Sequence, residues 1–326
     1  CLVGSEMCIR DRPSHSKSDF YRIHFRKLSG FPDAQLSYQT LFADAPHGFW
    51  LDSSSVIEGL SRFSYLGDGA GENAEYLTYR VAEGVVKVQR SGQETEFIQQ
   101  SFYDYLDEQI RRRATSTPEG LPFDFNLGYV GYIGYELKAE TCGSSRYQSE
   151  IPDAALLFVD RMLVFDHLEQ EAYLLCLSTG DEDKQALNWL NTAERILNDI
   201  PAAANDSDKD SVLTSVPDHN IPIEFRHNRP SYLQLINNCL EEIRNGESYE
   251  ICLTNSATVY TPIDPWITYT HLRRISPVPY GAFLNFADAA VLSASPERFL
   301  SIGADRIVES KPVSYTHLTL PTTPYV

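Results

Sequence analysis

An α+β fold built mainly on antiparallel sheets is what this sequence predicts. Three observations point to it: a period-two alternation early in the chain, successive strand-like runs joined by tight turns such as Glu83-Gly84, and helical patterns that occur singly between runs of strands. Strict β-α alternation, the mark of a doubly wound parallel sheet, is absent.

Taken in order, Tyr21, Ile23 and Phe25 alternate with Arg22, His24 and Arg26, which reads as a half-exposed strand. Gly48 to Leu51 is an apolar strand broken by Asp52-Ser53-Ser54-Ser55, and strands follow at Arg62 to Leu66, Glu75 to Val81 and Val85 to Arg90. Phe97, Ile98, Phe102, Tyr105, Leu106 and Ile110 after Thr95 predict an amphipathic helix over Glu96 to Arg113. Arg111 to Arg113 then read as cations favoured at its C-terminal end. Glycines three apart at Gly128, Gly131 and Gly134 suggest a second helix with a bare stripe for close packing, and they do not form a dinucleotide fingerprint. Strands are expected at Ala154 to Val159, Met162 to Phe165 and Ala172 to Leu177, and a helix at Asp183 to Leu197. After a polar stretch, Pro230-Ser231 opens a helix that Asn245-Gly246 stops. Strands at Tyr249 to Tyr260, Ala282 to Phe286, Val291 to Ser295, Arg298 to Ile302 and Arg306 to Glu309 surround a short helix at Pro265 to Ile275.

Both ends read as foreign. Written ATG TGT ATA AGA GAC, Met7 to Asp11 has the reverse complement GTC TCT TAT ACA CAT, which translates as Val-Ser-Tyr-Thr-His, the residues Val313 to His317. One inverted DNA segment accounts for both, so residues 1–12 and 313–326 are expected to be translated sequencing adapter and are set aside from the fold. Between them, the expected organisation is an N-terminal region over 13–200, a linker or surface loop over 201–220 and a second region over 221–312.

Composition bounds the function. With 42% hydrophobic residues the chain can fill a sizeable core, and a net charge of −18 disfavours nucleic acid as a partner. No apolar run reaches the roughly 18 residues that a membrane span needs, so no membrane partner is expected. Cys142, Cys176, Cys239 and Cys252 show no metal-ligand spacing and read as buried free thiols of a reducing compartment, which suggests a cytoplasmic location, or a plastid in a plant-like source. No H-E-x-x-H, G-x-S-x-G or P-loop pattern occurs. His227 and His271 are isolated, and Asn255 reads as a residue that satisfies backbone groups.

Three segments change the reading. Asn245-Gly246-Glu247-Ser248-Tyr249-Glu250-Ile251-Cys252-Leu253-Thr254-Asn255, Ser293-Ala294-Ser295-Pro296-Glu297-Arg298-Phe299 and Glu309-Ser310-Lys311-Pro312 resemble the chorismate-utilising enzymes, in particular the aminodeoxychorismate synthase component I branch. Phe49 to Ser53 and Gly131 to Lys138 extend the resemblance upstream over essentially all of the interior. It implies the chorismate-utilising fold, antiparallel sheets sandwiched with helices, cut short on the C-terminal side. It also implies chorismate as substrate, a glutamine amidotransferase subunit or fused domain as partner, and Mg²⁺ as the cofactor of the full-length enzyme, with its ligands further along the family sequence.

By the same resemblance Glu297 takes the place of a catalytic glutamate acting as general acid/base on a poor leaving group. Taken alone it reads as a solvated carboxylate at a strand end. The family's nucleophilic lysine is expected where Ser314 stands, so the chain by itself is expected to be inactive, and Lys311 is not given that role. A tryptophan pocket is implied at Ser53, at Leu60-Ser61-Arg62-Phe63, whose Phe63 lies ten positions on, and at Pro279-Tyr280-Gly281, whose glycine lies sixteen positions before Glu297. Phe63 and Pro279 alone read equally as core packing. The alternatives are anthranilate synthase component I, a sister activity, and a non-catalytic tryptophan-binding fragment.

Overall fold

Alternation within single strands builds this structure, because neighbouring residues are sent to opposite faces of one sheet. The computed structural model describes residues 21–141, 143–144, 146–180, 183–202, 221–287 and 289–311. It falls into two compact units, one of Asn205–Asp264 and one of the remainder.

The larger unit holds a seven-stranded sheet in the order β1-β10-β9-β3-β2-β13-β14. Its strands are β1 (Tyr21–Lys27), β2 (Gly48–Asp52), β3 (Phe63–Asp68), β9 (Arg161–Asp166), β10 (Glu171–Thr179), β13 (Tyr280–Asn285) and β14 (Ala290–Ser295). A five-stranded sheet runs β6-β5-β4-β8-β7, from β4 (Glu75–Arg80), β5 (Val85–Arg90), β6 (Glu96–Gln99), β7 (Gly128–Ile133) and β8 (Ala154–Val159). Every neighbouring pair in both sheets is antiparallel. The fold is thus the α+β, antiparallel architecture that the sequence predicts.

Phe49 and Trp50 show how the layers are set. Phe49 joins Tyr76, Val130, Leu157 and Val164 in the core between the sheets. Trp50, next in the chain, faces the opposite way into a core with Tyr38, Ala186, Leu190 and Tyr269. That second core lies under three helices, α1 (Ala34–Leu41), α3 (Asp183–Asn198) and α5 (Pro265–Ile275). On the far side of the five-stranded sheet, Phe102 and Tyr105 of α2 (Phe102–Arg112) cover Leu77, Val86 and Val88. Four layers result, and β8, with all six residues buried, has both faces covered. Burying each large side chain of this kind contributes roughly 1.5–3 kcal/mol.

Several expectations need correction. The helix expected over Glu96 to Arg113 starts later, at Phe102, because Glu96–Gln99 pairs with β5 and Ser101 caps the helix by accepting the Asp104 N–H at 3.3 Å. The glycine-spaced segment is a strand over Gly128–Ile133, not a helix, and Gly134 follows it. Close packing is nevertheless its purpose, since a Cβ on Gly131 would lie 2.0 Å from the Ala155 carbonyl oxygen. Arg113 is not merely a helix-end charge. Its guanidinium meets the buried Glu75 carboxylate at 2.5 Å and lies 4.4 Å from the Phe158 ring centre. Of the cysteines expected to be buried, Cys176 is buried, Cys239 is half-buried, Cys252 is exposed and Cys142 lies outside the described residues.

The smaller unit holds α4 (Arg229–Arg244), capped by Asn228 and started by Pro230, and a short ladder of β11 (Glu224–Phe225) with β12 (Ala257–Thr258). Only those two residues of the strand expected over Tyr249 to Tyr260 are extended and paired. In the larger unit β15 (Arg298–Ile302) and β16 (Val308–Lys311) form a separate hairpin. Most of the 201–220 segment, and both ends expected to be adapter, lie outside the described residues. The seven-stranded sheet draws strands from both sides of that segment, with Gly281 opposite Asp52.

Candidate functional site

The three segments singled out around Ser53 converge at one end of strands β2, β3 and β13. Ser53 follows directly on β2 and is buried. Its hydroxyl lies 2.8 Å from the Phe63 carbonyl oxygen and 3.3 Å from that of Pro279, so one donor ties the other two segments together. Tyr280 donates its hydroxyl to the Leu60 carbonyl at 2.9 Å. Ser61 donates to Ser55 O at 2.7 Å and accepts the Ile57 N–H at 3.1 Å, which closes the 55–61 turn into a compact loop. Arg62 forks onto Asp166 at 2.8 and 2.6 Å. Burial opposes ionisation of Asp166, but the Arg62 fork and the Glu169 and Leu168 amides prevail and hold its carboxyl below the ordinary carboxylate range. Phe63 packs its ring on Phe123 at 5.6 Å.

Beneath this cluster lies a buried ionic network that the sequence did not announce. Asp52, 3% exposed, accepts from Arg273 of α5 at 2.8 and 3.4 Å and from the Tyr269 hydroxyl at 3.4 Å. Burial alone would depress the Arg273 guanidinium; Asp52 more than compensates and raises it. Ser64 continues the chain of contacts, since its hydroxyl oxygen accepts the Ser53 N–H at 3.0 Å and lies 2.7 Å from His167 Nε2. Burial pushes the His167 imidazole below its ordinary value, which favours the neutral ring there. The Asp-Ser and distant Arg that make this network carry no motif; only their placement on adjacent strands and one helix face reveals them.

Glu297 sits at the same end of the sheet. Ser295, the last residue of β14, lies opposite Tyr280, and Glu297 is two residues further, exposed in the turn that leads into β15. Ser295 Oγ lies 3.1 Å from Glu297 O and 3.3 Å from Glu297 N, which fixes the turn. In the following hairpin Glu309 pairs with Arg298 and, at 3.0 Å, with Lys311. Lys311 also donates to the Gly59 carbonyl at 3.0 Å, so the hairpin after Glu297 touches the loop that carries Leu60. The structure therefore bonds Ser53 to Phe63 and Pro279 and Tyr280 to Leu60, keeps the Ser61 hydroxyl within its own turn, directs the Arg62 guanidinium to Asp166, and places Gly281 opposite Asp52 on the adjoining strand.

A divalent cation finds no seat here: among the described residues no group of three His, Cys, Asp or Glu side chains is placed to hold a metal ion. The residues present do not fit Mg²⁺, and no chemical step is routed through it. Among the described residues no helix is long and apolar enough to cross a membrane.

The profile of the chorismate binding enzyme family matches residues 63–318. The chain is 44% identical over 308 residues to the aminodeoxychorismate synthase of Streptomyces pristinaespiralis, a match that covers 93% of this chain and 42% of that protein. It is 28% identical to anthranilate synthase component 1 of Thermus thermophilus, over 86% of this chain and 56% of that one. Among solved structures, anthranilate synthase component I from Streptococcus pneumoniae TIGR4 superposes with a TM-score of 0.54 at 20% identity, covering 77% of this chain and 54% of the other, which shows a shared fold. The chain thus spans less than half of the aminodeoxychorismate synthase it matches. A family profile that takes in most of the sequence, on a fold shared with a solved relative, establishes that this chain belongs to the chorismate-binding enzymes.

Proposed function

We propose that this chain is a portion of component I of an aminodeoxychorismate synthase that includes the start of its chorismate-binding region, and that the parent reaction replaces the 4-hydroxyl of chorismate by an amino group. Chorismate and ammonia give 4-amino-4-deoxychorismate and water, the ammonia coming from glutamine through an amidotransferase subunit or fused domain. The product serves para-aminobenzoate and folate synthesis. The observation that carries this reading is the 44% identity to a protein named for that activity, against 28% to an anthranilate synthase component.

In this reading Glu297 delivers a proton to the departing hydroxyl, which is otherwise a poor leaving group. Its exposure in an ordered turn supports that role, since a substrate can reach it. The Ser53 cluster is the proposed seat for tryptophan. Carbonyls at Phe63 and Pro279 offer acceptors for an ammonium group, and the aromatic edges of Phe63 and Tyr280 suit an indole. The chain by itself is proposed to be catalytically silent, because Ser314 stands where the resemblance expects the attacking lysine.

Grafting residues 21–311 onto the remaining C-terminal part of the Streptomyces relative tests the assignment, with product followed by lyase conversion to para-aminobenzoate and by anthranilate fluorescence. Aminodeoxychorismate is the expected product, and Glu297→Gln in the graft is expected to lower kcat by about 10²–10⁴. Anthranilate as the main product overturns the assignment, and turnover by the ungrafted chain overturns the proposed silence. Calorimetry with L-tryptophan on the ungrafted chain tests the second site, and absence of heat removes it.

A further inference from the structure

The seven-stranded sheet ends on β14, and among the described residues no strand pairs with its outer side. None of its residues, Ala290 to Ser295, is buried, whereas β13 beside it buries Gly281, Phe283 and Leu284. The direction of the free backbone groups follows from the turn between the two strands. Phe286 and Ala289 exchange both N–H···O bonds, at 3.1 and 3.2 Å, and in an antiparallel ladder such pairs alternate with pairs that exchange none. Val291, Ser293 and Ser295 therefore bond back to β13, and Ala290, Leu292 and Ala294 aim their N–H and C=O groups outward.

Exposed edges are ordinarily blunted by charge, proline or a bulge. β14 has none of these: its sequence is Ala-Val-Leu-Ser-Ala-Ser, and its register with β13 is unbroken. The opposite edge, β1, carries Arg22, Arg26 and Lys27, so two copies paired antiparallel about His24 would set Arg22 of each opposite Arg26 of the other. A second copy meets no such repulsion on β14. Antiparallel pairing about Leu292 sets Ala290 of one copy opposite Ala294 of the other, and the outward N–H and C=O groups of both strands are satisfied together. Helix α5 packs over β14 and leaves Ile267 and Ile275 exposed, and the two-fold places both copies of α5 on one face of the joined sheet. These side chains add apolar area to a short ladder that alone falls below the roughly 1,200–2,000 Å² of a stable interface.

We propose that this chain binds a second copy of itself through β14, forming an isologous dimer with one continuous antiparallel sheet. Main-chain hydrogen bonds supply the attraction, and the small side chains of Ala290 and Ala294 let the two backbones approach. Assembly stops at two copies, because the pairing uses up the open edge of both. The inference rests on the sheet edge and does not depend on the proposed amination reaction.

Sedimentation equilibrium over a range of protein concentrations tests it, in about 0.5 M sodium chloride to screen the net charge of −18. A reversible monomer–dimer equilibrium is expected, with amide exchange at Ala290, Leu292 and Ala294 slowing as concentration rises while exchange along the outer side of β1 does not change. That measurement uses the native chain and relies on no variant folding. Ala294→Pro removes an N–H that does not bond to β13, and it is expected to weaken the dimer at least about tenfold with far-ultraviolet dichroism unaltered. A monomer at every concentration overturns the proposal: fast exchange at Leu292 would then mean an open edge, and slow exchange an edge taken by a segment of the same chain. A dimer whose β14 amides exchange independently of concentration, or one that a folded Ala294→Pro variant forms equally well, would place the contact elsewhere and overturn it too.

Discussion

Replacing Asp160 by asparagine should change the way stability depends on pH more than it changes stability at any single pH. Burial raises the Asp160 carboxyl from an ordinary 3.8 to about 6, with the Asn73 amide and Arg161 working in the opposite direction and Asp68 adding to the rise. A carboxyl whose folded value is raised favours the folded state when protonated. Its contribution is therefore fully present below about pH 4 and is lost as the pH climbs through about 6. At 1.36 kcal/mol per pH unit the loss amounts to about 3 kcal/mol. An asparagine side chain does not titrate, and it keeps an oxygen for the Asn73 N–H. Any constant cost of its misplaced amide nitrogen cancels when wild type and variant are compared across pH. Urea unfolding of both proteins at steps between about pH 4 and pH 8 should show wild type losing about 2.4 kcal/mol of that total relative to Asp160→Asn over that range. A difference that stays flat, or one that grows in favour of wild type as pH rises, refutes the account of Asp160 as a buried carboxyl lacking a partner.

Arg273→Met should destabilise the fold by about 3–5 kcal/mol, since it strands the Asp52 carboxylate without its cation. The double variant with Asp52→Asn should recover a large part of that loss in urea unfolding, and strictly additive losses would argue against the pairing. Ser53→Ala removes the one hydroxyl that ties Phe63 O and Pro279 O together and should cost about 1–3 kcal/mol. It should also weaken any calorimetric signal with tryptophan, and unchanged heats in a folded variant would dissociate Ser53 from that ligand. Ser101→Ala should cost about 1 kcal/mol and shorten protection at the start of α2 in hydrogen exchange, whereas a helix beginning near Glu96 would leave both untouched.

Strands were readable wherever alternation or a dense apolar run had only one structural use. Tyr21 to Lys27, Ala154 to Val159 and Val85 to Arg90 follow directly from such patterns. Errors arose where one pattern served two geometries. Phe97 and Ile98 fit the apolar face of a helix, yet Ile98 lies opposite Val86 in a ladder, and the serine that caps the true helix stands between them and Phe102. Gly131 misled for a similar reason, as close backbone approach is needed in packed strands no less than in packed helices. Register between distant strands left no local trace. Ile23 pairs with Leu177, far along the chain, because both must bury the same face of the sheet.

For the site, spacing carried a large share of the geometry and side-chain chemistry carried little. Ten positions from Ser53 to Phe63 are the length needed to leave β2, close the 55–61 turn and return along β3, so a hydroxyl at the first can reach the carbonyl of the second. Pro279 arrives by pairing of β13 with β2, an encounter that no window of sequence contains. Asp52, Arg273, Ser64 and His167 stayed hidden for the same reason: each looks ordinary among its neighbours, and their meaning comes from three strands and a helix meeting at one point. If that network is what holds the cluster, the Ser53 hydroxyl is pre-aimed by groups that never touch a ligand. Arg273→Met should then weaken tryptophan binding along with stability, and a stable Arg273 variant that binds as tightly as wild type would separate the scaffold from the pocket.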